Sequence, residues 1–282
     1  MDHPRPDFTA AHDDSAGAND PQWQTVDEGW GHAAADFATL SEPANCREYV
    51  AVHHRLGLDN GDRLLDVGCG AGLAVELASL RGTKCSGIDA STRLIAIARD
   101  RSPAADIRVG DMGALPWPAG SFTAVTSFRG IWGTTLPALD EAMRVLEPGG
   151  RLAITVWGHL KASAGAWALA PFRLADKPKV ANQAAMVSLG RPGAGEAALA
   201  AAGFIDVRRE VVPYAWEFAD PAHYARALAS TGPAYEAIQN VGAERFHEAA
   251  LAGAEEHLRA GLPLRAEIEV VGYYARTPAA KS

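Results

Sequence analysis

No stretch of the sequence approaches the roughly 20 consecutive apolar residues that a membrane helix needs, and the N-terminus has no basic segment leading into an apolar one. Neither a membrane span nor export is expected. Cysteine is scarce: Cys46, Cys69 and Cys85 are odd in number and lack any C-x-x-C spacing, so a reduced, cytoplasmic protein without a metal site is expected. Positive charge is also short, with 26 Lys and Arg against 34 Asp and Glu and a net charge of -8. That is the wrong sign for gripping a phosphate backbone, so nucleic acid is not an expected partner. There is no internal repeat. What is present is a core: 48% hydrophobic and 21% charged residues in 282 exclude wholesale disorder and suit one α/β domain with an insertion.

Residues 1–20 carry Pro4, Pro6, Asp13, Asp14 and Gly17 with almost nothing large and apolar, and read as a disordered tail in which His3 and His12 are solvated. Apolar residues at helical spacing begin with Trp23, Trp30 and Phe37, so residues 21–60 are expected to form an N-terminal helical cap. Strands are then expected at Arg63–Val67, Lys84–Asp89, Ile107–Val109, Phe122–Phe128, Arg151–Trp157, Phe204–Val212 and Ala266–Ala275. Helices alternate with them at Leu73–Leu80, Ser91–Asp100, Leu136–Leu146 and Glu196–Ala202. Consecutive βαβ units imply a parallel sheet, and Glu147-Pro148-Gly149-Gly150 reads as a turn that stops one helix and reverses the chain. The result is a doubly wound, Rossmann-like α/β core over residues 61–212 and 264–282. Residues 213–263, too long for a hairpin loop, form a helical lid insertion with helix-like stretches Ala222–Ala229 and Ala243–Ala260.

Between the first strand and its helix lies Gly68-Cys69-Gly70-Ala71-Gly72. The dinucleotide pattern G-x-G-x-x-G would place its third glycine at position 73, which is Leu73, and Asp66 at the strand end would repel a diphosphate. Asp89 ends the second strand, where a carboxylate can accept both hydroxyls of a ribose; a helix cap or solvated turn is the alternative. Asp111 follows the third strand, placed to accept from an exocyclic amine with Met112 against an adenine ring; an ordinary turn aspartate is the alternative. Three acidic strand ends around one glycine turn favour a ligand.

The runs Leu64-Leu65-Asp66-Val67-Gly68-Cys69-Gly70-Ala71-Gly72, Gly87-Ile88-Asp89-Ala90-Ser91, Gly110-Asp111-Met112 and Arg144-Val145-Leu146-Glu147-Pro148-Gly149-Gly150 resemble a class I S-adenosylmethionine-dependent methyltransferase. The chain is more closely similar to the quinone and natural-product small-molecule group of that family, over Gly61–Trp157. The resemblance implies seven strands with the last antiparallel, and S-adenosylmethionine as cofactor. It implies that Asp66, Gly68, Gly70 and Gly72 form the turn under the methionine part, that Asp89 holds the ribose, that Asp111 and Met112 hold the adenine, and that Cys69 and Ala90 also bind the cofactor. Ser127 would offer backbone to the amino group, and Arg47 or another cap residue would meet the carboxylate. Two departures stand out. Relatives commonly have Phe-Asp where this chain has Phe122-Thr123, and many have a His pair where it has Phe128-Arg129-Gly130-Ile131-Trp132.

Methyl transfer from a sulfonium is an in-line displacement, so alignment in a dry pocket, with a base where the nucleophile needs one, is the expected task. His159, just past the fifth strand, is the candidate base, and Arg129 the candidate anchor for a substrate carboxylate or phenolate, or the partner of an acidic loop residue. Trp132, Trp157 and Trp216 are expected to line the substrate pocket. The expected acceptor is a planar or lipophilic small molecule, with O-methylation favoured over C- or N-methylation, and a homodimer is left open. Two other readings compete: a nicotinamide-dependent oxidoreductase, and a protein of the same fold that binds the cofactor without transferring methyl.

Overall fold

Leu64, Leu65 and Val67 leave no polar face, the pattern of a strand covered on both sides. Arg63–Val67 forms β1, buried after its first residue. The structure, a computed structural model, describes residues 21–175 and 186–280; the tail expected over residues 1–20 lies outside the described residues. Parallel partners flank β1: β2 (Lys84–Asp89) on one side and β4 (Phe122–Phe128) on the other. With β3 (Asp106–Val109), β5 (Leu146–Trp157), β6 (Ile205–Val212) and β9 (Val270–Arg276), the order is β3-β2-β1-β4-β5-β9-β6. β9 is antiparallel to both neighbours. The chain moves outward from β1 to β3 and then returns to β4 on the other side. Strand order therefore reverses between β1 and β4, which opens a crevice at their C-terminal ends.

One sheet face packs Leu64, Ala74, Val75 and Ile95 beneath α4 (Leu73–Ser79) and α5 (Thr92–Arg101). The other packs Leu65, Val67, Leu139, Val145 and Leu199 beneath α6 (Pro137–Val145) and α7 (Ala194–Ala201). Over the crevice lies the cap: α1 (Pro21–Trp30), α2 (Ala34–Asp36), helical turns Phe37–Ser41 and Glu42–Asn45, and α3 (Cys46–Leu56). α1 is tied to the N-terminus of α5, because the Asp27 carboxylate accepts from the hydroxyls of Ser91 at 2.5 Å and Thr92 at 3.1 Å. It is also tied to the insertion, because the His32 ring lies between the carbonyls of Gly29 at 2.7 Å and Ala229 at 2.8 Å.

Three differences from the sequence reading have local causes. The single last strand expected over Ala266–Ala275 is two: β8 (Arg265–Glu267) pairs with β7 (Ala215–Glu217), and β9 starts at Val270. The break falls at Glu269, whose backbone N–H and C=O bond to Ser163 and Gly158 instead of a ladder. The insertion holds three helices, α8 (Pro221–Ala229), α9 (Gly232–Val241) and α10 (Ala243–Arg259). α9 was hidden because it opens with Gly232-Pro233, which reads as a breaker, although proline suits a first helical turn. Finally, Glu147–Gly150 is not a turn ahead of β5 but a bulge inside it: Phe122 pairs with Leu146 and Ala124 with Arg151, and Gly149 takes φ +77°.

Candidate active site

A cavity of about 670 Å³ runs from the glycine turn to the cap and insertion, within the roughly 300–1,000 Å³ of small-molecule sites. Two glycines in the left-handed region shape the turn at this end, Gly68 in the lining and Gly72 outside it. At Gly72 (φ +84°) a Cβ would lie 2.7 Å from the Cβ of Ala98, so α4 and α5 approach this closely only without a side chain. At Gly68 (φ +73°) a Cβ would lie 3.2 Å from the Gly130 Cα, across the crevice from β4. Gly68 and Cys69 both donate N–H to the Ile88 carbonyl, at 2.8 and 3.0 Å, which fastens the turn to β2.

Asp89 completes the cradle. One carboxylate oxygen accepts the Gly70 N–H and the other the Ser91 N–H, each at 2.9 Å, which leaves each oxygen a further lone pair for a hydroxyl. Burial pushes the Asp89 carboxyl above the usual carboxylate range, and those amides oppose the rise. Asp66, buried behind the turn, accepts from Thr126 Oγ1 at 2.7 Å; burial raises its carboxyl to about 8. Asp111 accepts the Gly113 N–H at 2.8 Å beside Met112, and both line the cavity. Gly68, Cys69, Gly70, Asp66, Asp89, Ala90, Asp111 and Met112 are thus brought together on one wall. The open turn, the spare acceptor capacity of Asp89 and the excess of carboxylates fit an adenosyl group carrying a sulfonium charge.

Other expected site residues are placed differently. His159 is exposed in the turn after β5, with its backbone N–H on Glu269, and is not part of the cavity lining; the expectation that it acts as base does not hold in this geometry. Ser127 is buried and donates its hydroxyl to the Val67 carbonyl at 2.7 Å, and it too is absent from the lining. Arg129 lines the cavity but is already paired: its guanidinium lies 2.8 Å from the carboxylate of Glu48 on α3, over the rings of Trp157 at 4.5 Å and Tyr214 at 4.8 Å. Its φ of +57°, unusual for a residue with a side chain, is held by an N–H bond to the Thr155 carbonyl at 2.9 Å. Arg47 is exposed and pairs with Glu217 at 2.7 Å, and it does not line the cavity. The Phe122-Thr123 departure is structural, since the Thr123 hydroxyl donates to Asp62 at 2.7 Å and accepts the Arg63 N–H at 3.0 Å.

Trp132, Trp157 and Trp216 all line the cavity. They are joined by Trp30, Phe37 and Tyr49 from the cap and by Tyr214 at the start of the insertion. Trp30 lies 6.4 Å from Trp132 and stacks against Gly232, where a Cβ would fall 2.5 Å from its indole ring. The residue that sequence reasoning missed most completely is Glu42. It is 1% exposed, accepts the Leu73 N–H at 3.3 Å and pairs with Arg101, which also donates to the carbonyls of Ala71 and Ala38. Burial raises its carboxyl to about 7, with Arg101 opposing. Its only sequence signal is an acidic residue opening a Pro-containing turn, which normally reads as solvated.

Comparison with known proteins identifies the family. Residues 65–154 match a family described as "Methyltransferase domain". The chain is 31% identical over 186 residues to a malonyl-[acyl-carrier protein] O-methyltransferase of Erwinia pyrifoliae, covering 64% of this chain and 68% of that one. It is 32% identical over 126 residues to a demethylmenaquinone methyltransferase of Renibacterium salmoninarum, covering 44% and 52%; the chain thus spans about half the length of that relative. Among solved structures, the [4+2]-cyclase SpnF is similar at 25% identity and a TM-score of 0.54, over 83% of this chain and 81% of that one. The chain belongs to the class I S-adenosylmethionine-dependent methyltransferases, and S-adenosylmethionine is its cofactor.

Proposed function

We propose that the chain transfers the methyl group of S-adenosylmethionine to a small, aromatic or lipophilic acceptor, on oxygen in preference to carbon or nitrogen. The observation that carries this reading is the continuity of one cavity from the Asp89 cradle to the aromatic wall of Trp132, Trp157, Tyr214 and Trp216. When bound, the cofactor supplies an electrophilic methyl on a sulfonium. Asp89 holds the ribose; the glycine turn and Glu42 fix the N-terminus of α4 beneath the methionine part. The indole and phenol rings exclude water and flank a planar acceptor, and the Glu48–Arg129 pair fixes Trp157 and Tyr214 in that wall. Among the described residues no histidine lines the cavity, so the reading favours an acceptor oxygen that is already ionised when it binds.

The similarity to a [4+2]-cyclase favours a second reading, in which the cofactor is bound but no methyl leaves it. Incubation with methyl-labelled S-adenosylmethionine and a panel of phenols, enols and carboxylic acids separates the two. Label in an oxygen-linked methyl group supports transfer. Tight S-adenosylhomocysteine binding with no label transferred across the panel would overturn it in favour of the second reading.

A further inference from the structure

The charged groups on the cavity lining are segregated. Asp66, Asp89, Asp111 and Glu42 all belong to the cofactor end, and each is engaged by backbone N–H groups, a hydroxyl or Arg101. Past the C-terminal end of β5 the lining changes sign. Two short helical turns, Leu160–Ala162 and Ala164–Leu174, carry Lys161 and Arg173, which line the cavity and are also exposed, so they form its rim. Neither makes an ion pair or hydrogen bond among the described residues, whereas Arg129, the other cation of the lining, is committed to Glu48. Between the two cations in sequence, the same segment contributes Leu169 and Phe172 to the lining. The acidic lining residue on this side is Glu236 of α9, in the insertion.

We propose that the acceptor is amphiphilic, an apolar or aromatic body bearing an anionic group away from the methylated atom, and that Lys161 and Arg173 receive that anion at the rim. This deepens the methyltransferase reading and rests on it. Unpaired cations at the rim of an apolar lining select such a molecule because the body is desolvated against Leu169 and Phe172 while the anion stays at the partly hydrated edge. A carboxylate and a phosphate share this chemistry.

A matched pair of fluorescent probes tests the proposal: 8-anilinonaphthalene-1-sulfonate and its neutral counterpart N-phenyl-1-naphthylamine, titrated into protein saturated with S-adenosylhomocysteine. The Lys161→Ala/Arg173→Ala variant should bind the sulfonate roughly fivefold to tenfold more weakly, with the neutral probe changed less than twofold. Competition with 1-naphthyl phosphate and 1-naphthylacetate then distinguishes phosphate from carboxylate. Equal losses for both probes, or displacement by neither competitor, would overturn the proposal. Calorimetry with S-adenosylhomocysteine on the same samples keeps the parent reading separate. Binding that persists while the sulfonate is indifferent to the substitutions removes only the anion site, whereas no binding to the unsubstituted protein removes the methyltransferase reading.

Discussion

At the β1–β2 end of the cavity the lining is backbone and carboxylate, nearly all of it from residues 66–112, whereas at the far end it is aromatic and drawn from the cap, two strand ends and the insertion. The first end depends on dihedral angles and hydrogen bonds written into a short stretch of chain: three glycines at positive φ, and Asp89 with one amide on each oxygen. The second depends on contacts between segments distant in sequence, such as Trp30 on Gly232, Arg129 between Glu48 and Trp157, and Asp27 on Ser91. Cofactor chemistry is fixed by local geometry, and acceptor choice by tertiary packing, so substitutions at the two ends should fail in different ways.

The largest effect should come from Gly72→Val. A branched side chain there meets Ala98 and must also adopt φ +84°; the left-handed conformation costs about 1–2 kcal/mol and overpacking about 1–3 kcal/mol. Thermal unfolding should show a loss of roughly 3 kcal/mol, and an unchanged melting temperature would mean that α4 and α5 do not approach as described. Next is Asp89→Ala, which removes acceptors for two ribose hydroxyls at about 1.5 kcal/mol each, the low end for a hydrogen bond to a charged group. S-adenosylhomocysteine affinity should fall roughly 100-fold. Trp157→Leu should do the reverse, leaving that affinity within about twofold while lowering turnover of the acceptor by about tenfold. If both substitutions weakened the cofactor equally, the two ends would not be separable.

The smallest effect is electrostatic. Burial raises Asp66 to about 8 and Glu42 to about 7, each well above its value in an unfolded chain. These two carboxyls therefore hold more protons in the folded chain than in the unfolded one between about pH 4 and 8, so their contribution to ligand-free stability falls as pH rises through that window and levels off above it. A sulfonium prefers the ionised carboxyls, whereas the thioether of S-adenosylhomocysteine does not. The affinity of S-adenosylmethionine relative to S-adenosylhomocysteine should therefore rise severalfold between pH 6 and about 8.5. A flat ratio in competition calorimetry would place these two carboxyls too far from the sulfur to matter.

The sequence was readable where the structure is local. The run Asp66–Gly72, with Asp89 and Asp111 at the following strand ends, announces its geometry because glycine spacing and strand-end carboxylates are short-range signals. Glu42 and Glu48 could not be read in this way. Each sits among polar residues of the cap and becomes a buried, paired group only because Arg101 and Arg129 arrive from far along the chain. His159 misled for the complementary reason: its position after β5 is correct, but the chain turns there to bond with Glu269 and carries the ring into solvent. Trp132, Trp157 and Trp216 line the cavity, whereas Trp30, which also lines it, reads in the sequence only as a cap residue, since its contact with Gly232 depends on a helix that begins with a breaker.

The most direct test is a crystal structure of the chain with S-adenosylhomocysteine. Both ribose hydroxyls should lie on the Asp89 carboxylate, the adenine beside Asp111 and Met112, and the sulfur should face the wall of Trp132 and Trp157. An adenosyl group bound instead at the Lys161 and Arg173 rim, or a ribose without contact to Asp89, would contradict this placement.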